Sequence, residues 1–229
     1  MKQPVDPKIL AFDTSGPHCA AALLENDAIF GETILEMKRG QAEALMPLLE
    51  ETLAARGLAW GDLDALAVGV GPGNFTGIRI GVSAARGLAL ALGIPAIGVS
   101  AFEAMAFQHM GESCLICLPA PRDQAYVQTF RRGQPNGAPQ QIDPNEPPKD
   151  LQMSFGMQVI GHRAKEIGQH FECSVIEADV EDLPRRLCLI AEQHLTSERP
   201  QSRPAPLYVR AADALPSSDT PPIILPNDA

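Results

Sequence analysis

Apolar residues fall into short runs separated by turn-forming clusters, and the period of those runs changes along the chain. Residues 8–13, 19–24 and 28–35 are three closely spaced apolar or alternating runs, the first ending in Asp13-Thr14-Ser15-Gly16-Pro17. Runs of this length joined by short polar links predict an antiparallel three-stranded meander. Over 43–56 the pattern shifts to helical spacing, with Leu45, Leu48, Leu49 and Leu53 recurring and Gly57 as a stop. Pro47 belongs in a first turn or marks a kink. Residues 64–70 read as a strand buried on both faces. Residues 75–92 read as a helix with Ile78, Val82, Ala85 and Ala89 on one face, and 94–99 as another strand. Right-handed crossovers are expected between the parallel strands.

Beyond Ser100 the same order returns in weaker form. Residues 115–118 and 125–131 predict strands, and Asn136-Gly137 predicts a turn before a strand at 140–143. Pro144, Pro147 and Pro148 interrupt the chain. A strand at 157–160, a helix at 163–171, a strand at 174–176 and a helix at 183–195 follow. The reading is an α/β chain of two βββαβαβ modules, the second eroded, which is the actin-like, Hsp70-like (ribonuclease H-like) plan. Its units are 1–103, 104–199, a segment 200–215 and a tail 216–229. Seven prolines from Pro200 onward give that tail the composition of a disordered segment.

Composition narrows the function classes. The 229 residues carry 18 Lys and Arg against 28 Asp and Glu, a formal charge of -10, which disfavours autonomous nucleic-acid binding. The N-terminus lacks the apolar core of a signal peptide, and the longest uncharged stretch, 87–102, has 16 residues interrupted by Gly93-Ile94-Pro95, so a cytoplasmic protein without a membrane span is expected. The five cysteines, 19, 114, 117, 173 and 188, argue against a disulfide framework. Cys114 and Cys117 have CxxC spacing, but strand alternation sends them to opposite faces, as buried small hydrophobes. Five histidines form no HExxH and no second CxxC completes a zinc site, so no metal is expected.

Two segments could carry chemistry. In an actin-like module the Asp ending the first strand opens a hairpin whose amides approach nucleotide phosphates, and Asp13-Thr14-Ser15-Gly16 stands at that place. The plain alternative is an Asx-turn. Residues 71–81, with Gly71, Gly73, Thr76 and Arg79, link a strand to a helix whose N-terminus could hold an anion; the alternative is a tight turn that needs glycine. The segment has neither the Lys-Ser/Thr of a Walker loop nor the spacing of a dinucleotide fingerprint.

Ile9 to Ser15, Gly71 to Gly81, Gly87-Leu88-Ala89-Leu90, Ile97-Gly98-Val99-Ser100 and Pro206-Leu207-Tyr208-Val209-Arg210 together resemble the TsaB (YeaZ) family, the partner subunit of the bacterial tRNA threonylcarbamoyladenosine synthase. The resemblance is close through Ser100 and weaker from Phe107 to Arg199. It implies a two-domain actin-like fold and a complex with a paralogous catalytic subunit, TsaD, and an ATPase, TsaE. It also implies a part in modifying adenosine 37 of ANN-decoding tRNAs, with tRNA reached only through the complex. No catalytic residue is expected here, and no tightly bound cofactor; any ATP or ADP would be held weakly at the subunit boundary. The family carries a historical glycoprotease label, but no nucleophile-base constellation is evident.

Two departures weaken a nucleotide site further. Family members often have Asp-Ala-Arg-Arg where this chain has Pro119-Ala120-Pro121-Arg122, and Gln41 stands where a His is frequent. Proline supplies neither a side-chain acceptor nor an amide donor. The competing reading is a stand-alone ATP-dependent kinase or ATPase using Asp13 and the Gly71 loop. Gly77, Gly81, Ala84 and Leu88 form a second stripe on the 75–92 helix. With Leu45 and Leu49 they are expected to form an exposed partner interface that also supports a homodimer when the chain is alone.

Overall fold

The computed structural model describes residues 6–109, 113–149, 151, 153–154, 156–180, 182–196 and 202–209. In chain order the elements are β1 (Ile9–Asp13), β2 (His18–Glu25), β3 (Ala28–Glu36), α1 (Gln41–Ala54), β4 (Ala65–Gly69), α2 (Phe75–Leu92), β5 (Ala96–Val99) and α3 (Ala101–Ala106). Then come β6 (Ser113–Ala120), β7 (Gln124–Arg131), β8 (Gln134–Pro135), β9 (Gln140–Ile142), β10 (Gln158–Gly161), α4 (Ala164–Phe171), β11 (Ser174–Ile176) and α5 (Leu183–Thr196). Pro47 lies in the second turn of α1, not the first. The sequence reading missed α3, although Ser100 and Glu103 form a reciprocal capping box before it.

The first sheet has the order β3-β2-β1-β4-β5, with β1, β4 and β5 parallel. The second has the order β11-β10-β6-β7-β8, with β9 also pairing β7. The two orders are the same topology repeated. What is eroded is the helix after the third strand: where the first module has α1, the second has turn and irregular chain among its described residues between β9 and β10. The prolines at 144, 147 and 148 deny that stretch the amide donors a helix needs.

Period-two alternation sorts each sheet into two cores. On the first sheet Leu10, Phe12, Leu66 and Val68 face α1 and α2, and pack with Leu45, Leu49, Ile78 and Val82. The other face, with Ile9, Ala11, Ala65 and Ala67, is covered by Leu187, Cys188, Ile190 and Ala191 of α5. Burying each of the Leu, Ile, Val and Phe side chains contributes about 1.5–3 kcal/mol. The second sheet places Cys117, Val127 and Val159 on the α4 side, and Cys114, Ile116 and Phe130 on the α3 side. The expected opposite orientation of Cys114 and Cys117 is therefore observed.

The two closing helices are exchanged. α3 follows the first sheet yet packs with Phe102 and Met105 on the second, whereas α5 follows the second sheet and packs on the first. Arg186 of α5, buried, donates from Nη1 to Ala104 O of α3 at 2.9 Å. A second unit running from 104 to 199 is thus redrawn by packing, because its last helix completes the first core. The chain at 202–209 lies on the first module: Leu207 N donates to Val70 O (2.8 Å), and Tyr208 stacks on Phe75. The expected tail at 216–229 lies outside the described residues.

Candidate functional site

A cleft of about 560 Å³ lies between the modules. One wall is the β1–β2 hairpin with Ser15, Gly16, Pro17 and His18, continued by Lys38 and Gln41 and by the loop at Pro72, Gly73 and Asn74. The other wall carries Leu118 and Pro119 from β6, with Asp179 and Val180.

The hairpin and the loop are tightly interlocked. Asn74 N donates to Ser15 O (2.7 Å), and Thr14 Oγ1 donates to Gly77 O (2.7 Å). Added Cβ atoms at Gly73 and Gly77 would stand 2.4 Å from Ser15 O and 1.9 Å from Thr14 O, so both glycines are required by close backbone approach. Gly71, at φ +95°, precedes a cis bond to Pro72 and supplies the left-handed turn. Asn74 Oδ1 accepts from Gly77 N (2.8 Å) and caps α2.

Asp13 is 1% exposed. Its Oδ1 accepts from Ser15 N (2.9 Å), Ser15 Oγ (2.9 Å) and His18 Nε2 (2.8 Å). Its Oδ2 is buried with no hydrogen-bond partner among the described residues, against Gly69. The hydrogen bond to Asp13 raises the His18 pKa above its ordinary value, against the opposing effect of burial and with help from the Asp13 and Glu36 charges. Burial together with Asp13 pushes the Cys19 thiol up to about 11, and burial also raises Cys117 and Cys188, which leaves these thiols unreactive.

The expected phosphate loop is only partly assembled. Ser15 and Gly73 line the cleft, Asp13 and Thr14 are buried behind it, and Gly71 shapes the turn. Thr76 is exposed on the first turn of α2 and is not part of the lining. Arg79 points elsewhere: its guanidinium covers the Phe75 ring at 3.8 Å, and its Nε donates to Tyr208 Oη at 2.8 Å. His18, Lys38 and Asp179 were not foreseen; the signal available for His18 was its place at the start of the strand returning beside Asp13.

The expected interface needs correction. Leu45 and Leu49 are buried core residues, and Gly77 and Gly81 face Thr14 inside the chain, where a Cβ at Gly81 would meet Thr14 Oγ1 at 2.8 Å. The small-residue stripe serves close packing of α2 against its own hairpin. Ala84 and Leu88 are half-buried against the same core. The exposed apolar side chains on these helices are Met46, Phe75 and Leu90, the last 85% exposed. α2 is long and apolar enough to cross a membrane by length and composition, but here it packs on the sheet through Ile78, Val82 and Ala85.

The fold implies a magnesium-nucleotide, and the residues do not fit one. Such a site needs an acid at the end of the first strand of each module; Leu118 and Pro119 stand at the end of β6, and the second wall's Asp179 is exposed beyond β11. The nearby Asp123 is 79% exposed and pairs with Arg163 Nη1 at 2.7 Å. Ser15 Oγ donates to the buried Asp13 carboxylate, and among the described residues no hydrogen bond joins it to the His18 imidazole.

Residues 29–179 match the family model described as TsaD: tRNA N6-adenosine threonylcarbamoyltransferase. The Escherichia coli tRNA threonylcarbamoyladenosine biosynthesis protein TsaB is 40% identical over 99 residues, 43% of this chain and 42% of that protein. A tRNA N6-adenosine threonylcarbamoyltransferase from Jannaschia sp. is 49% identical over 74 residues, 32% of this chain and 21% of that one. The chain spans about half the length, or less, of these curated relatives. A crystal structure described as an uncharacterized protein with similarity to peptidase YEAZ from Pseudomonas aeruginosa superposes with a TM-score of 0.67 at 25% identity, covering 89% of this chain and 100% of that one. Shared sequence across both modules and a shared fold lead to one assignment: the chain belongs to the TsaD family, on its TsaB/YeaZ side.

Proposed function

We propose that this chain is a non-catalytic subunit in the biosynthesis of tRNA threonylcarbamoyladenosine. It binds a homologous TsaD-like catalytic chain and, with it, a TsaE-like ATPase in the cytoplasm; tRNA is reached only through that complex. The observation that carries this reading is the end of β6 on the second wall: Leu118 and Pro119 stand there in place of a buried acid matching Asp13, and the acid that this wall does carry, Asp179, is exposed beyond β11. The relatives named TsaB support the pathway, and the segment shared with a threonylcarbamoyltransferase supports a homologous partner of that kind. Any ATP or ADP is held weakly, at the subunit boundary.

Docking uses the outward sides of α1 and α2, where Met46 and Leu90 are exposed. The same surface supports a homodimer when the chain is alone. The test is reconstitution with the catalytic paralogue from the same source. Co-elution and tRNA modification that require both chains are expected, and Met46→Glu with Leu90→Glu should abolish both while leaving the chain folded. Modification at the full rate without this chain, or unimpaired complex formation by the folded variant, would overturn the reading.

A further inference from the structure

The Asp13–His18 pair is seated between two glycines, one on each side. A Cβ at Gly69 would stand 1.7 Å from Asp13 Oδ2, and a Cβ at Gly16 would stand 2.5 Å from His18 Cε1. Both partners therefore lie where only glycine leaves room. The imidazole meets Asp13 on its cleft side: His18 is a lining residue, its side chain 21% exposed, whereas that of Asp13 is 1% exposed. Three hydrogen bonds converge on Oδ1, while Oδ2 has none among the described residues. A carboxylate so buried requires a compensating partner, from the chain or from a bound cation.

We propose that His18 occupies, from within the chain, the place beside Asp13 that a divalent cation would take, so that the cleft excludes such a cation until the imidazole is removed. The block is steric and uses up the acceptor. The ring fills the approach to Oδ1, and its Nε2–H takes the lone-pair direction that a hard cation would need. This inference rests on the hairpin geometry and is independent of which partner the chain serves. It converts a family-level site into one closed by a residue of this chain. Lys38, Glu36 and Asp179 are the other charged groups near the cleft mouth, and none of them bonds to Asp13.

The test is Mn²⁺ binding to the full chain, read by the loss of free-ion electron paramagnetic resonance signal, with a Asp13→Asn/His18→Ala double variant as the background for surface carboxylates. Wild type should match that background. His18→Ala should bind one further Mn²⁺, displaceable by Mg²⁺, and its lowered melting temperature should rise when Mn²⁺ is added, whereas that of wild type should not. His18→Gln, whose amide can still donate to Asp13, should behave as wild type. If His18→Ala does not fold, His18→Ser is read in its place. Mn²⁺ binding by wild type that Asp13→Asn abolishes, or no gain by the folded alanine or serine variant over the double variant, would overturn the proposal.

Discussion

The β1–β2 turn and the β6–β7 turn hold equivalent places in the two modules, yet they are built on opposite principles. The first is buried and interlocked: Asp13 accepts three hydrogen bonds, and Thr14 and Ser15 are fixed by bonds to Gly77 and Asn74 of the next loop. The second is solvated. Arg122 and Asp123 adopt left-handed conformations at φ +63° and +57°, Pro119 and Pro121 flank Ala120, and the acid faces Arg163 on the surface. A duplicated fold can thus keep its topology while only one of the two turns holds a buried acid. Backbone pairing maintains the sheet, and nothing in that pairing requires an acid at the second turn.

The largest effect should come from forcing apart the first turn. Gly77→Leu drives a side chain into Thr14 O and should cost about 3 kcal/mol or more in denaturant unfolding. His18→Ala comes next, at about 1–3 kcal/mol, because it takes a donor from a buried carboxylate. Its loss of stability should persist in high salt, since the pair is shielded from solvent ions.

A pH series sharpens the same contrast. His18 has a raised pKa in the folded chain, so its charged contribution is fully present below the ordinary value of about 6.5 and is lost as pH rises through the folded value. The stability advantage of wild type over His18→Gln should therefore shrink from about pH 6.5 upward, with the ring titration followed by nuclear magnetic resonance. An advantage that grows over that range would mean that the pair is not formed in solution. The smallest effect belongs to the second turn: Asp123→Ala removes a solvent-exposed ion pair and should leave the unfolding midpoint unchanged within error.

Much of the framework was legible in the sequence. The α2 helix matches its expected span of 75–92, because helical spacing coincides with an Asn74 cap and a left-handed Gly93 stop. The cysteine orientation followed from strand period alone. The misread features are tertiary. Helical period marks two apolar stripes on α2, but only the position of the hairpin decides that Gly77 and Gly81 face inward. The exchange of α3 and α5 is equally invisible, since each helix is amphipathic whichever sheet it covers. His18 was passed over because a single histidine at a strand start has no pattern; its meaning comes from the antiparallel register that brings the strand back beside Asp13.

The proposed non-catalytic role requires that the cleft, with buried Asp13 behind one wall and Leu118, Pro119 and an exposed Asp179 on the other, performs no nucleotide chemistry. Isothermal titration of the isolated chain with Mg·ATP, followed by phosphate release, addresses it directly. No saturable binding in the micromolar range and no turnover are expected. Micromolar binding with hydrolysis, both lost in a folded Asp13→Asn variant, would contradict it.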